Sequence, residues 1–382
     1  MQNGKRGAYV IAHNGDPMQG GGWNNQQLLK DCGLVPYLLH KNHNFHSVMV
    51  GLKIDADYPY IKQYLHGLEL DFLAEDTIQA RIGYIDSHAG DIDLLILYGA
   101  YPDYIPLVAR YKSVRPDGKI YLATDMNIAW ADRLPHEDAA YKKFLQSCDV
   151  IAASCRIVQN YLATKWSVPV NLIRNGWYNF PQVSFDNLFE QKENVIVSVG
   201  RVGQFIQQTK RTDILLEAFA KVANDLPGWS VRLVGGIDDT FKPYMENYFS
   251  QRPDLRDRVI FTGLVSDKTE LANEYKRAKI FCLTSPHEGG TPNVTSEALF
   301  AGDYMIFSSI DAALEATDNN KCGRVFPIGD VDTLAKIFLE VCRDEKLLRD
   351  GGQHALAYAR DQFDANKIVA RLNYLLYGGD AT

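Results

Sequence analysis

One pattern in the second half of the chain restricts the fold more than any other feature. Short runs rich in Val, Ile, Leu and Phe ("NVIVSVG", "SVRLVGG", "RVIFTGL", "KIFCLTS", "YMIFSS", "GRVFPIG") alternate with stretches of helical periodicity. In "RTDILLEAFAKVANDL" the apolar residues Ile214, Leu215, Ala218, Phe219, Val222 and Leu226 recur at helical spacing. Near-continuous apolar strands separated by helices predict parallel sheets covered on both faces. The first half has the same rhythm, with "AYVIAH", "VPYLLH", "DLLILYG", "KIYLATD", "VIAAS" and "VNLIRNG" as candidate strands. Residues 42–90 carry no clear assignment. The expected fold class is therefore α/β, built on parallel sheets.

A chain of 382 residues exceeds what one core usually supports, so two domains are expected. Regular patterning lapses in "WYNFPQVSFDNLFEQKEN". The division that follows is an N-terminal domain over 1–180, a linker over 181–194 and a second domain over 195–360. The helix within 361–382 can cross back to the first domain. A formal net charge of -7 argues against a nucleic-acid binder dominated by phosphate contacts. Six cysteines without a C-x-x-C pair fit reduced thiols in a cytoplasmic protein. The N-terminal apolar run is too short for a signal peptide, and no window reaches the length of a membrane span. A peripheral membrane contact stays open, and oligomeric state is not legible.

The stretch "SPHEGGTPNVTSEALFAG", from Ser285 to Gly302, holds the chemistry. A strand ending near Ser285 puts Glu288 in the loop above a sheet. Thr291 as N-cap and Pro292 in the first turn would open a helix that contains Glu297 and stops at Gly302. Gly289 and Gly290 allow close backbone approach. The amides of Thr291, Asn293 and Val294 would then face an anion, phosphate above all. Glu297 can accept hydrogen bonds from two vicinal hydroxyls, as on a ribose, and Glu288 can face a sugar. The plain alternative is a strand-to-helix turn with two solvated acids. The second feature is "SVGRVGQFIQQTKRTDILLEAFA". It places Arg201 just past a strand and Lys210 just before a helix, where both can balance the charge of a diphosphate.

Taken in order, "VGR…TKRTDILLEAFA", "VRLVGG", "VIFTGLVSDKTELANEYKRAKIFCLTSPHEGGTPNVTSEALFAG", "CDVIAASCRIVQNYLATKW" and "LIRNG" resemble the retaining glycosyltransferases of family 4. The resemblance implies the GT-B fold, two Rossmann-like domains with parallel sheets facing a central cleft. It implies a nucleotide-sugar donor held mainly by the second domain and a carbohydrate or glycoconjugate acceptor entering from the first. It carries the sugar-facing role to Glu288, the ribose role to Glu297, diphosphate binding to Arg201 and Lys210, and base binding to backbone near Leu264. The family's two glutamates stand one residue closer together than Glu288 and Glu297, as if this loop had gained a glycine. Enzymes of this fold typically need no bound metal, and no cofactor is implied.

In the first half, "YVIAHNGDPMQGGGWNNQQLLKDCG" reads as strand, loop and helix, with Gly20, Gly21 and Gly22 forming the turn. The resemblance gives Gly21 and Gly22 an approach to the donor phosphate; a flexible turn is the alternative. The family often has a His after a first-domain strand, near the sugar. This chain has Thr124-Asp125 there, and Asp125 can accept a sugar hydroxyl or cap the next helix. His40, His43 and His46 lack the acid or Cys partners of a metal site and read as a polar loop. The expected activity is retaining transfer of a sugar from a nucleotide diphosphate sugar to a glycan, lipid-linked saccharide, protein or small molecule. The alternatives are a nucleotide-sugar epimerase on the same fold, a non-catalytic partner subunit that keeps the pocket, or a sensing protein without a reaction.

Overall fold

The computed structural model describes residues 5–14, 21–185, 189–203 and 210–378. The chain divides into two compact units, one of Met1–Tyr178 with Asp364–Thr382 and one of Asn179–Phe363. The segment read as a linker thus belongs to the second unit, and that unit continues past 360.

In the first unit the strands are β1 (Arg6–Ile11), β2 (Gly22–Trp23), β3 (Phe45–Lys53), β4 (Leu68–Phe72), β5 (Leu94–Tyr98), β6 (Lys119–Ala123), β7 (Val150–Ala153) and β8 (Asn171–Leu172). They form one sheet in the order β2-β3-β1-β5-β6-β7-β8, with β4 also on β3. Neighbours pair in parallel, as at Val10↔Met49 and Tyr9↔Leu95. Central β5 reads Leu-Leu-Ile-Leu-Tyr, and its first four residues are fully buried. That is the composition of a strand covered on both faces. The helix Ala365–Tyr377 belongs to this unit. Its Tyr377 ring lies under the Arg6 guanidinium at 4.2 Å, and the Tyr377 hydroxyl donates to the Asp93 carbonyl.

Two expectations for this unit need correction. "VPYLLH" is not a strand but part of the helix Asp31–Asn42, with Pro36 inside it. Residues 32 to 39 of that helix are all buried, so its apolar run has no polar face to reveal a helical period. The His-rich stretch is not a loop either. His40 lies in the last turn of that helix, His43 caps it, and His46 is in β3 after a turn at Asn44 with φ of 57°. Among the described residues no group of three or more His, Cys, Asp or Glu could hold a metal ion. The unassigned stretch contains β3, β4 and the helices Pro59–Gln63 and Ile78–His88.

The second unit holds β9 (Glu193–Val199), β10 (Ser230–Val234), β11 (Val259–Gly263), β12 (Ala278–Leu283), β13 (Tyr304–Ser308) and β14 (Gly323–Phe326). Their order is β11-β10-β9-β12-β13-β14, again parallel. All six strands expected from the apolar runs are present. The helix Thr212–Val222 packs the predicted face, Ile214, Leu215, Ala218, Phe219 and Val222, into the core. Leu226 is buried too, in the turn beyond the helix. No helix among the described residues is long and apolar enough to cross a membrane.

Candidate active site

The strand order of the second sheet reverses between β9 and β12. In an open parallel sheet, the crevice beyond the carboxyl ends of such a pair is where ligands bind. Arg201 and Lys210 follow β9; Ser285 and Glu288 follow β12. The geometry at this point is built from short polar contacts. The Lys210 ammonium donates to Glu288 Oε1 at 2.5 Å, and the Ser285 hydroxyl donates to the same oxygen at 2.5 Å. Both charged side chains are largely covered, Lys210 at 23% and Glu288 at 14% exposure, so solvent screens this pair less than a surface one.

Several bonds fix Lys210 in place. The Thr284 hydroxyl sits 2.7 Å from the Lys210 carbonyl and 2.9 Å from that of Arg211. Arg211 adopts a left-handed backbone with φ of 50°, and its guanidinium forks onto Asp213 at 2.9 and 2.8 Å. Thr212 closes the segment by hydrogen bonds with Gly203. Ser285 is fixed in turn by the Ser308 hydroxyl, which donates to its carbonyl. The longer loop between the two glutamates therefore still delivers the Glu288 carboxylate to Lys210.

Glu297 lies inside the helix Asn293–Phe300, and the Tyr275 hydroxyl donates to its Oε2 at 2.6 Å. Burial first, then the charge of Glu297, pushes the Tyr275 hydroxyl well above its ordinary pKa, so it remains a donor. The helix starts one residue later than expected. Thr291 is buried and is not the N-cap; Pro292 is, with ψ of 147°. An N-cap contributes only its carbonyl to the helix, here accepting from the Thr295 amide, so proline's missing N–H costs nothing. The amides of Asn293 and Val294 remain in the first turn, while that of Thr291 lies before it. Gly290 is buried beside it with φ of 99°. The helix ends as read, with the Gly302 amide on the Leu299 carbonyl and the Asp303 amide on that of Ala298.

The other expected residues are more exposed. Arg201 is exposed at the end of β9. Its charge helps to hold the Asp238 carboxyl low, after the two hydrogen bonds from Thr240. Leu264 follows β11 and is 67% exposed, the most open of the large apolar side chains described.

In the first unit, Gly21 and Gly22 are not a loose turn. Gly22 starts β2 and pairs with Leu52 of β3. A Cβ on Gly21, where φ is 72°, would lie 2.0 Å from Asp76 Oδ1. The residue that sequence reading missed here is Arg81, which is fully buried. Its Nε donates to the Ala12 carbonyl at 2.6 Å, and one terminal nitrogen reaches the Gly21 carbonyl and Asp76, each at 2.8 Å. Burial lowers the guanidinium's pKa, and Asp76 opposes this. Arg81→Lys keeps a charge for Asp76 but loses the fork that ties the end of β1 to Gly21. We expect it to lower the unfolding free energy in urea by about 2 kcal/mol.

Asp125 follows β6, exposed, with a left-handed φ of 37°. It does not cap the next helix. Asn127 does, accepting from the Trp130 amide at 2.8 Å. A non-glycine residue held in this conformation costs about 1–3 kcal/mol, and such strain concentrates at functional sites. Asp125 borders a cavity of about 20 Å³ with Asp31, Tyr98, Thr124, Ser154 and Arg174.

A reversal of strand order in each sheet, one of them bridged by a Lys–Glu pair beside a helix start, defines a protein of the doubly wound α/β kind. Residues 193–344 match the family model described as glycosyl transferases group 1. A phosphatidyl-myo-inositol mannosyltransferase of Mycolicibacterium smegmatis is 28% identical over 148 residues, 38% of this chain and only 36% of that relative. The N-acetyl-alpha-D-glucosaminyl L-malate synthase of Bacillus anthracis is 20% identical over 89% of this chain and 90% of its own. The Anabaena protein HepE in complex with UDP matches in fold with a TM-score of 0.71 at 16% identity, over 96% of this chain and 98% of that one. The chain has the GT-B fold, and its second unit carries the match to the group 1 glycosyl transferase model.

Proposed function

We propose that the protein transfers a sugar from a nucleotide diphosphate sugar to an acceptor, with retention at the anomeric carbon and without a bound metal. The observation that carries this reading is the Lys210–Glu288 pair over the strand reversal, with Glu297 in the helix that follows. The family match over residues 193–344 supports it, as does the fold likeness to a protein whose structure holds UDP. Arg201, Lys210 and the first-turn amides of Asn293 and Val294 neutralise the departing diphosphate. Glu297 accepts hydrogen bonds from the ribose hydroxyls. Glu288 faces the sugar and stabilises positive charge at the anomeric centre. Backbone near Leu264 meets the base.

A thermal-shift panel of UDP, GDP, ADP and their sugars tests this directly, because a ligand of the native state raises the melting temperature by mass action. At least one nucleotide and its sugar should do so, and NMR of the product should show the donor's anomeric configuration kept. A panel without any shift rejects the reading. Tyr275 supplies a finer check. Tyr275→Phe frees one Glu297 oxygen from its fixed orientation, and should weaken binding of the selected ribonucleotide about tenfold while leaving kcat unchanged. The 2′-deoxy analogue should lose much less, as measured by calorimetric titration of both.

A further inference from the structure

The sheet of the first unit also reverses its strand order, between β1 and β5, and the residues at that point have no role so far. His13 stands just past the end of β1; Tyr101 and Asp103 stand just past the end of β5. His13 Nε2 is 3.3 Å from Asp103 Oδ2. The imidazole stacks on the Tyr101 ring, with centroids 3.9 Å apart and planes at 25°, and meets the edge of Tyr104 at 5.4 Å. Exposure divides the pair: the His13 side chain is 10% exposed and that of Asp103 is 59% exposed.

Asp103 precedes the helix Tyr104–Val114 with a helical backbone, φ -64° and ψ -17°, so its carboxylate does not cap the first-turn amides. One of its oxygens instead lies beside the imidazole. The support around it is specific. Gly99 has φ of 78°, and a Cβ there would lie 2.1 Å from the Tyr101 ring, so the turn that lays this ring over His13 needs glycine. Arg81 donates to the Ala12 and His13 carbonyls and so fixes the backbone that carries the imidazole. A covered histidine thus backs an open carboxylate at the position where this sheet class binds ligands.

We propose that Asp103 is an acceptor-binding residue, that it takes hydrogen bonds from the hydroxyls of a neutral polyhydroxylated acceptor, and that His13 positions it. An ionised carboxylate only accepts hydrogen bonds, which hydroxyl groups donate, and it repels an anionic acceptor. This rests on the glycosyl-transfer reading.

The test uses the full chain with the nucleotide sugar picked by thermal shift. The acceptor probes are glucose, N-acetylglucosamine and myo-inositol, with glucosamine and L-malate as cationic and anionic counterparts. The wild type should glycosylate at least one neutral probe. Asp103→Asn should raise the KM for that probe tenfold or more, with the donor KM and the acceptor-free release of nucleotide unchanged. Asp103→Glu should recover part of the loss. His13→Gln should raise the same KM with a smaller change in kcat. An unchanged acceptor KM in Asp103→Asn overturns the proposal. So does a wild type that hydrolyses donor but ignores the neutral probes, or that prefers glucosamine or L-malate. Failure of every donor to bind the wild type instead rejects the glycosyl-transfer reading, and this proposal with it.

Discussion

Replacing Lys210 by alanine is expected to lower turnover of the bound donor by about 10²–10³-fold, the usual cost of removing one preorganised group from developing negative charge. The ammonium is held against Glu288 at 2.5 Å and its backbone is pinned through Thr284, so on the proposed glycosyl-transfer reading little reorganisation would accompany charge development on a donor diphosphate. The stability cost should be only about 1 kcal/mol, because both partners retain some solvent and Glu288 keeps its bond from Ser285. Steady-state release of nucleotide, read with a melting curve, separates the two effects. Lys210→Arg should restore only part of the rate, since a planar fork does not reproduce a compact ammonium. Glu288→Gln should also slow transfer, and the double variant should lose less than the two single losses combined, because the pair acts as one unit. Near wild-type turnover in Lys210→Ala would make the pair a structural bridge.

Legibility in the sequence followed burial and distance along the chain. β9 to β14 were readable because each is a short apolar run between helices whose polar faces keep a period. The helix Asp31–Asn42 was not, because it is buried all round and a short apolar run cannot declare its period. β3 was missed because it opens with Phe-His-Ser after a polar turn at Asn44. At the site, Lys210 and Glu288 stand at strand ends, where local pattern alone places them over the sheet. Arg81, Tyr275 and Asp303 were invisible for the opposite reason. Each is a buried polar group with a partner 69, 22 or 111 residues away that nothing in its own neighbourhood announces, although Arg81 also meets the nearby Asp76. The one local hint was for Tyr275, an aromatic residue one turn from Leu271 and Ala272 on a mostly polar helix.

Asp303→Ala is expected to destabilise the protein by about 3–5 kcal/mol, more than any other single change considered, because it strands a buried ammonium. Lys192 Nζ donates to Asp303 Oδ1 and to the Ala278 carbonyl, both at 2.6 Å, and the two side chains are 2% and 0% exposed. Asp303 directly follows the turn that ends the Glu297 helix, while Lys192 precedes β9, so the pair ties that helix to the strand below Arg201. Lys192→Met should cost less, and its cost should depend on pH. Burial already pushes the Asp303 carboxyl up to about 7, against the pull of Lys192. Without the ammonium its pKa rises further, and the group can take up a proton instead of remaining an unpaired charge. An acid whose folded pKa lies above its unfolded value of about 4 binds more protons folded than unfolded, so stability falls as pH rises between the two. The deficit of Lys192→Met relative to wild type should therefore be small near pH 5 and grow through pH 8, whereas that of Asp303→Ala should be largest near pH 5 and shrink toward pH 8, because the variant lacks the carboxyl whose contribution to stability falls as pH rises. Urea unfolding at a series of pH values reads both. Lys192→Met combined with Asp303→Leu should recover most of the loss, since an apolar pair of similar volume needs no desolvation. Equal, pH-independent losses in the two single variants would mean that this carboxylate is not held at the cost its burial implies.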